Sequence, residues 1–334
     1  MGTAGRPEGK SKRRKVLIAT LEYEIIDWGF GVKIGTLGFV LSRMVKLMTD
    51  VDVIWVVPKV KDLEYPPGEL IEPIEVTIFG EHYLVEVEKH IFDNITYVIL
   101  DSAILRVQTR ADPYPAHMDD LSSAIFYSTW NQAIAATVQH DPDIDVYHLN
   151  DFHGALVPIY LLPKVLPICL YIHGTEFQDL WSLRTKEDMK NVCSAFNISE
   201  EHCKKYVQFG NTFNLIHAAA SFISVHQNSV GVACFSRGYG ERFLTRHPAL
   251  RTLEHVEPLP IPMPSNIRAL VARPALTENP TVDQETVMIR LGLKRHAQVW
   301  AGIAQDPKSE LFVFVDRWNK WSGIDLVADI MPYM

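Results

Sequence analysis

The fold class is decided by residues 16–57. The apolar run Val16-Leu-Ile-Ala-Thr-Leu21 is followed by a glycine-rich loop, Trp28-Gly-Phe-Gly-Val-Lys-Ile-Gly-Thr36, and later by a second apolar run, Asp52-Val-Ile-Trp-Val-Val57. Between the loop and the second run, apolar residues recur at helical spacing: Leu37, Val40, Leu41, Met44, Val45 and Met48. Short apolar runs of this kind are typical of parallel strands buried on both faces, and the spacing between them predicts one amphipathic helix. The stretch therefore predicts a strand–loop–helix–strand unit.

The same alternation continues along the chain and predicts an α/β fold with a mostly parallel sheet. Further strands are expected at 97–100, 146–149 and 168–172, a helix beginning near residues 118–120, and a hairpin over 75–89. Four prolines at every second position of 258–264 argue against a central strand and favour a semi-rigid linker there. We expect one more buried strand at 311–315 and a helix beginning at Gly323.

Composition narrows the class of protein. The chain of 334 residues has a formal net charge of −8, although residues 1–15 carry six Lys or Arg against a single acid, Glu8. An acidic body argues against a nucleic-acid-binding surface, because phosphate contacts need clustered cations. The four cysteines form no C-x-x-C pair, which predicts free thiols in a reducing compartment. We expect no signal peptide and no membrane span in this chain.

Polar residues cluster at three predicted strand ends, where ligands bind in open α/β sheets. The first cluster is the glycine-rich loop, in which Gly29-x-Gly31-x-x-x-Gly35 is an imperfect dinucleotide fingerprint. Lys33 in that loop makes sense if it faces an anion, although a solvent-facing lysine in a turn is an equal alternative. The second cluster, Asn150 to His153, predicts either a sugar-binding loop or a structural turn.

The third cluster begins at His173, which ends an apolar strand and has Glu176 three residues on. A histidine at a strand end can be catalytic or structural. Arg317 follows the predicted strand at 311–315, where its planar guanidinium could bind phosphate or simply lie on the surface. A metal site around His148, Asp151 and His153 is conceivable, but the spacing does not fix a ligand geometry.

Five segments of the chain match a known family in order and spacing: residues 15–28, Lys33-Ile-Gly-Thr-Leu-Gly38, Tyr114-Pro-Ala-His-Met-Asp-Asp-Leu121, Tyr147-His-Leu-Asn-Asp-Phe-His-Gly154 and Tyr206-Val-Gln-Phe-Gly210. On these segments the chain, from Lys15 onward, resembles the synthase domain of fungal α-1,3-glucan synthases, which are similar to bacterial glycogen synthases and plant starch synthases. The resemblance implies a GT-B fold, in which a cleft between two Rossmann-like domains transfers glucose from a nucleotide sugar with retention of configuration. In the fungal branch it implies UDP-glucose as donor, an α-glucan acceptor, no other cofactor and no metal.

The resemblance also implies roles for particular residues. His173 and Asp151 are expected to be catalytic. Lys33, Gly35 and Arg317 are expected to bind the donor phosphates, and Asn150, His153 and Glu176 to bind the acceptor or transferred sugar. Three positions depart from the family pattern: Thr36 replaces a glycine, Gly174 replaces an asparagine and Ser322 replaces a lysine.

The expected organisation is a basic tail at 1–14, a catalytic N-terminal domain at 15–256, a linker at 257–309 and the start of a nucleotide-sugar domain at 310–334. The expected location is cytoplasmic, at the inner face of the plasma membrane, since full-length relatives are membrane-associated. Two alternatives to an enzyme of this family stay open. One is a non-catalytic relative that binds or regulates glucan, and the other is a dinucleotide-dependent enzyme suggested by Gly29, Gly31 and Gly35.

Overall fold

The structure, a computed structural model, describes residues 13–32, 35, 37–117, 119–174, 181–260, 284–315 and 323–333. The chain divides into two compact units, Met1–Pro262 and Met263–Met334. The strands of the first unit, in chain order, are β1 Lys15–Ala19, β2 Tyr23–Ile25, β3 Phe30–Val32, β4 Asp52–Pro58, β5 Glu69–Ile78, β6 Glu81–Phe92, β7 Ile95–Asp101, β8 Val146–Asn150, β9 Ile168–Ile172, β10 Trp181–Ser182, β11 Gln208–Phe209, β12 Thr212–Phe213, β13 Val232–Cys234 and β14 Glu257–Pro258.

The α-helices of the first unit are α1 Leu37–Leu47, α2 Leu121–His140, α3 Val157–Tyr160, α4 Lys186–Ala195, α5 Glu200–His202, α6 Leu215–Gln227 and α7 Arg237–Arg246. Three short 3-10 turns, Ile26–Trp28, Leu105–Val107 and Pro248–Leu250, and a π-helical turn, Cys203–Val207, connect them. The predicted start of α2 is confirmed, because Asp120 caps this helix by accepting a hydrogen bond from the Ser123 N–H at 2.7 Å.

Nine of these strands form the main sheet, in the order β14-β13-β9-β8-β1-β4-β7-β6-β5. The seven strands from β14 to β7 are parallel, and β6 and β5 extend the sheet as an antiparallel hairpin. The predicted parallel α/β sheet and the predicted hairpin are both confirmed. In the described part of the proline-rich segment, Pro258 belongs to the two-residue edge strand β14, as expected of a residue that lacks a ladder donor.

Hydrophobic cores cover both faces of the sheet. On one face, α1 packs over β1, β4 and β7 through side chains such as Leu41, Trp55 and Tyr97. On the other face, α2 and α6 bury a larger cluster that includes Trp130, Tyr147 and Phe222. The carboxyl ends of the neighbouring strands β1, β8 and β9 therefore lie side by side at one edge of a rigid sheet.

The second unit contains helices α8, Gln284–Trp300, and α9, Ile324–Ile330, and a 3-10 turn, Met331–Tyr333. Helix α8 lies within the segment expected to be a linker. The predicted buried strand at 311–315 is wrong, since these residues form neither strand nor helix and Phe312, Val313 and Val315 are exposed. An apolar run becomes a strand only where another strand supplies ladder hydrogen bonds, and the described residues of this unit offer none. The helix predicted from Gly323 is confirmed.

Candidate functional site

Asp151 holds together the ends of two neighbouring strands. It follows β8 directly and has a left-handed backbone, with φ of 52°, which Asp tolerates better than most residues. Its N–H donates to the carbonyl of Tyr171 in β9 at 3.0 Å. Its Oδ1 accepts from the backbone N–H groups of His173, at 2.8 Å, and Gly174, at 3.2 Å. The carboxyl group thus fixes the main chain of the segment that carries His173.

The side chain of Asn150, the last residue of β8, meets the ring of His173. Oδ1 of Asn150 and Nε2 of His173 are 2.9 Å apart. The ring of Tyr171 lies 4.6 Å from that of His173, centroid to centroid. The structure therefore brings together three residues predicted for the site: Asn150, Asp151 and His173.

His153 lies in the same strand-end cluster but is held by aromatic packing. Its ring stacks between Tyr114, with centroids 4.9 Å apart, and Tyr127, with centroids 5.9 Å apart. The Tyr127 hydroxyl lies 3.2 Å from Nδ1 of His153, and Nδ2 of Asn131 donates to the His153 carbonyl at 2.8 Å. Sugar binding by His153 stays a prediction; what the structure describes is a buried ring with well-defined partners.

Glu22 is a site residue that sequence reasoning missed. It lies just beyond β1, is 5% exposed, and has its carboxylate in the same strand-end cluster. Oε1 accepts from the Tyr114 hydroxyl at 2.9 Å, and Oε2 accepts from the Gly35 N–H at 3.3 Å. Residues 150–153 were selected because polar residues there follow a buried strand. The same rule selects Glu22, which follows β1, the strand next to β8 in the sheet. Glu22 connects the glycine-rich loop to the Tyr114–His153 stack.

Burial governs the protonation of this cluster. It raises the pKa of Asp151 to about 7, and the negative charge of Glu22 adds to the rise. The hydrogen bonds from the two backbone N–H groups oppose it. Burial also lowers the pKa of His148 to about 4 and that of His153 to about 3. The pKa of His173 falls to about 3, first from burial and then from the nearby His148 and His153. At neutral pH the three rings are uncharged and Asp151 is poised between its two forms.

Three predicted site residues, Lys33, Glu176 and Arg317, lie outside the described residues, as do Thr36 and Ser322. Gly35 is described and lies beside Glu22. Of the three departures from the family pattern, only Gly174 can be placed: it follows His173, and a Cβ added there meets no described atom within 4 Å. No group of three or more His, Cys, Asp or Glu among the residues that can be placed is arranged to hold a metal ion.

Two of the three glycines that suggested a dinucleotide site are required by the local backbone structure. Gly29, with φ of 68°, ends the turn Ile26–Trp28 between β2 and β3. Gly31 lies in β3, where a Cβ would come within 2.8 Å of the Tyr23 carbonyl oxygen. Gly29 and Gly31 therefore belong to a β-hairpin between β1 and α1, whereas the glycines of the dinucleotide fingerprint lie in one tight turn between strand and helix. The glycines do not support a dinucleotide-dependent enzyme.

Comparison with known proteins settles the family. The family described as "Starch synthase catalytic domain" matches residues 15–230. The chain belongs to this family. It is 48% identical over 323 residues to cell wall alpha-1,3-glucan synthase mok13 of Schizosaccharomyces pombe, and 48% identical over 326 residues to ags1 of the same yeast. Each alignment covers 97% of this chain, but only 14% and 13%, respectively, of the relative.

A solved structure supports the fold. The catalytic domain of starch synthase IV from Arabidopsis thaliana, solved with ADP and acarbose, superposes with a TM-score of 0.63 at 15% identity, over 97% of this chain and 66% of that one. The predicted fold class, a Rossmann-like domain of a GT-B glycosyltransferase, is confirmed. The starch synthase domain family is one of hexosyltransferases, as predicted. Among the residues that the structure describes, no helix is long and apolar enough to cross a membrane.

Proposed function

We propose that this chain is the acceptor-side part of a retaining glucosyltransferase that moves glucose from UDP-glucose to a growing α-1,3-glucan. The observation that carries the proposal is the convergence of Asn150, Asp151 and His173 at adjacent strand ends, in a chain 48% identical to cell wall alpha-1,3-glucan synthases. We place the activity in fungal cell-wall synthesis, because relatives at 48% identity are named cell wall alpha-1,3-glucan synthases. The location we propose is the cytoplasmic side of the plasma membrane.

In the proposed reaction, the acceptor hydroxyl oxygen bonds to the anomeric carbon of glucose while the bond from that carbon to UDP breaks. The hydroxyl proton passes to the departing diphosphate, and attack on the face that UDP leaves retains the configuration. Lys33 and Arg317 neutralise the diphosphate, together with the Gly35 region of the loop. Preorganised charges of this kind replace a metal ion as the stabiliser of the leaving group.

The neutral ring of His173 suits contact with a sugar hydroxyl, since burial keeps it from carrying a charge. Asp151 supports that contact by holding the main chain at His173 and Gly174. Asn150, His153 and Glu176 contribute further hydrogen-bonding groups to the acceptor or transferred sugar. The chain spans about one seventh of its curated relatives, so we propose that the uracil and ribose of the donor are bound mainly by sequence beyond it.

A transfer assay tests the proposal. The chain is incubated with UDP-glucose labelled in the sugar and an α-1,3-glucooligosaccharide, and labelled extended product is counted. We expect His173→Ala to lower the rate by about 10²-fold or more, as for loss of one preorganised contact. His82→Ala is the matched control, since that histidine is exposed on the β5–β6 hairpin. Equal rates for wild type and His173→Ala contradict the proposed role of the site.

A non-catalytic glucan-binding module is the second candidate, favoured by Gly174 where the family has a side chain. No described atom lies within 4 Å of a Cβ built at Gly174, so the described residues give no packing reason for glycine at this position. Calorimetric binding of the oligosaccharide, with no transfer by either wild type or Gly174→Asn, supports this candidate. A gain in transfer by Gly174→Asn favours the enzyme.

A further inference from the structure

Asn150 and His173 face each other for a topological reason. β8 and β9 are parallel neighbours in which Asn150 pairs with Tyr171, so His173, two residues further on, projects from the same face of the sheet as Asn150. Asn150 is 2% exposed, and its Oδ1 is 2.9 Å from the His173 Nε2. The contact is thus built into the register of two buried strands.

The chemistry of this contact fixes the ring. With the Asn150 carbonyl oxygen facing the ring, this pair requires a proton on Nε2 of His173, because a carbonyl oxygen only accepts hydrogen bonds. A neutral imidazole has one N–H, which leaves Nδ1 of His173 with a lone pair. Asp151 Oδ1 holds the main chain of His173 and Gly174, and the contact with Asn150 adds a hydrogen bond to the ring itself.

A second partly buried histidine shows the opposite arrangement. Nδ1 of His217 in α6 lies 2.9 Å from the carbonyl oxygen of Ala249, so there Nδ1 carries the proton. Nε2 of His217 lies 3.1 Å from the Ser221 hydroxyl, which is then the donor. The two contacts thus call for different tautomers at the two histidines, and His217 serves as an internal reference.

We propose that Asn150 is a positioning residue that holds His173 as the neutral, Nε2-protonated tautomer and so presents Nδ1 as a hydrogen-bond acceptor. Resting on the proposed function, this makes His173 an acceptor for a sugar hydroxyl and a poor partner for phosphate oxygens, which are themselves acceptors. The diphosphate is then bound by the cations Lys33 and Arg317, and Asn150 affects the reaction only through the ring of His173.

Nuclear magnetic resonance of the full chain with labelled histidine tests the tautomer without any assay of activity. Loss of one set of signals in His173→Gln assigns the ring. We expect Nε2 of His173 to be protonated, with an N–H signal that exchanges slowly with water. In Asn150→Leu, of similar volume but without the acceptor, that exchange should be at least tenfold faster, while the His217 signals stay unchanged.

Asn150→Asp sharpens the test and keeps the side-chain shape if the leucine variant fails to fold. A carboxylate against Nε2–H favours the charged ring, so we expect the pKa of His173 to rise by one unit or more. The acid limb of the transfer rate against pH should move upward with it. A wild-type ring protonated on Nδ1, the result of a reversed Asn150 amide, overturns the proposal. So does a ring whose exchange and titration are the same in all three proteins. Absent transfer with the expected tautomer overturns only the proposed function.

Discussion

Two aspartates at the same edge of the sheet differ in the groups that compensate their charge. Asp101 ends β7 and is matched by cations: Lys59 Nζ lies 3.3 Å from its carboxylate, and Arg106 donates to both oxygens. Lys59 also pairs with Glu88 at 2.7 Å. Burial raises the pKa of Asp101, but the bonds from Arg106 and Lys59 outweigh it, so the pKa is lowered overall. Asp151 has only backbone N–H donors among the described residues, and its pKa rises to about 7.

The difference separates a carboxylate paired with cations, Asp101, from a buried carboxyl that meets only backbone donors among the described residues, Asp151. Compensated charges at the end of β7 hold the sheet and the hairpin together. An uncompensated buried carboxyl beside three neutral histidines is costly to keep, and such groups cluster at functional sites. The comparison therefore favours the ends of β1, β8 and β9 as the place of the proposed activity.

The largest effect is expected from Asp101→Asn. It leaves Lys59 and Arg106 without their shared carboxylate, and breaking a largely buried pair typically costs about 3 kcal/mol. Urea unfolding at pH 7 should show a loss of this order in the free energy of unfolding. Glu201→Gln, on the exposed face of α5, is the control and should change little. A loss below 0.5 kcal/mol, on the order of a surface substitution, means that the network does not stabilise the sheet.

Asp151→Asn should act with the opposite sign. The folded chain holds the Asp151 proton more tightly than the unfolded chain, so ionisation opposes folding as the pH rises from about 4 through about 7. Asp101 behaves in reverse: its lowered pKa gives stability that is present at neutral pH and lost at acid pH. In wild type, the free energy of unfolding should therefore fall by about 2 kcal/mol between pH 5 and pH 8. We expect this fall to be absent in Asp151→Asn, whose amide oxygen still accepts both N–H groups. Parallel pH curves for wild type and Asp151→Asn contradict this.

Gly31→Ala tests the packing that brings the glycine-rich loop to the site. The new Cβ would clash with the Tyr23 carbonyl oxygen, so we expect a loss of about 1–2 kcal/mol in thermal unfolding. Gly238→Ala is the matched control, because no described atom lies within 4 Å and the residue is in α7, where alanine favours the helix. A Gly31 variant as stable as the Gly238 variant shows that the hairpin yields easily.

Arg106→Ala should have the smallest effect on stability. Its side chain is 51% exposed and Lys59 remains with Asp101, so we expect less than about 1 kcal/mol. The variant should still raise the pKa of Asp101, which titration by nuclear magnetic resonance measures. An unchanged pKa contradicts the assignment of Arg106 as a main cause of the lowered value.

The sequence predicted the strands that carry the site better than the contacts between its side chains. The strands ending at Asn150 and Ile172 were found because fully buried strands read as apolar runs, and the strand-end rule then selected Asn150, Asp151 and His173. The pairing of these side chains was beyond sequence reasoning, because it depends on the parallel register of β8 and β9. The hairpin β2–β3 was missed, since each strand has only three residues and Gly29 and Gly31 suggested a ligand loop.

The other features that sequence reasoning missed also depend on contacts between segments far apart in the chain. Residues 311–315 have the composition of a strand, yet no described residue of their unit pairs with them. The role of Asp101 was hidden because Lys59, Glu88 and Arg106 come from three separate segments. Tyr114 and Glu22 are 92 residues apart, and only the fold brings the hydroxyl to the carboxylate.

Calorimetric titration of the chain with UDP-glucose and with UDP tests the central claim most directly, with Lys33→Ala as the site variant and Arg106→Ala as the control at the structural end of the sheet. The account predicts that wild type and Arg106→Ala bind both ligands through the diphosphate, and that Lys33→Ala loses binding by about tenfold or more, because one cation contact to phosphate is removed. No binding by wild type at millimolar ligand, or equal binding by all three proteins, would contradict a donor site at these strand ends.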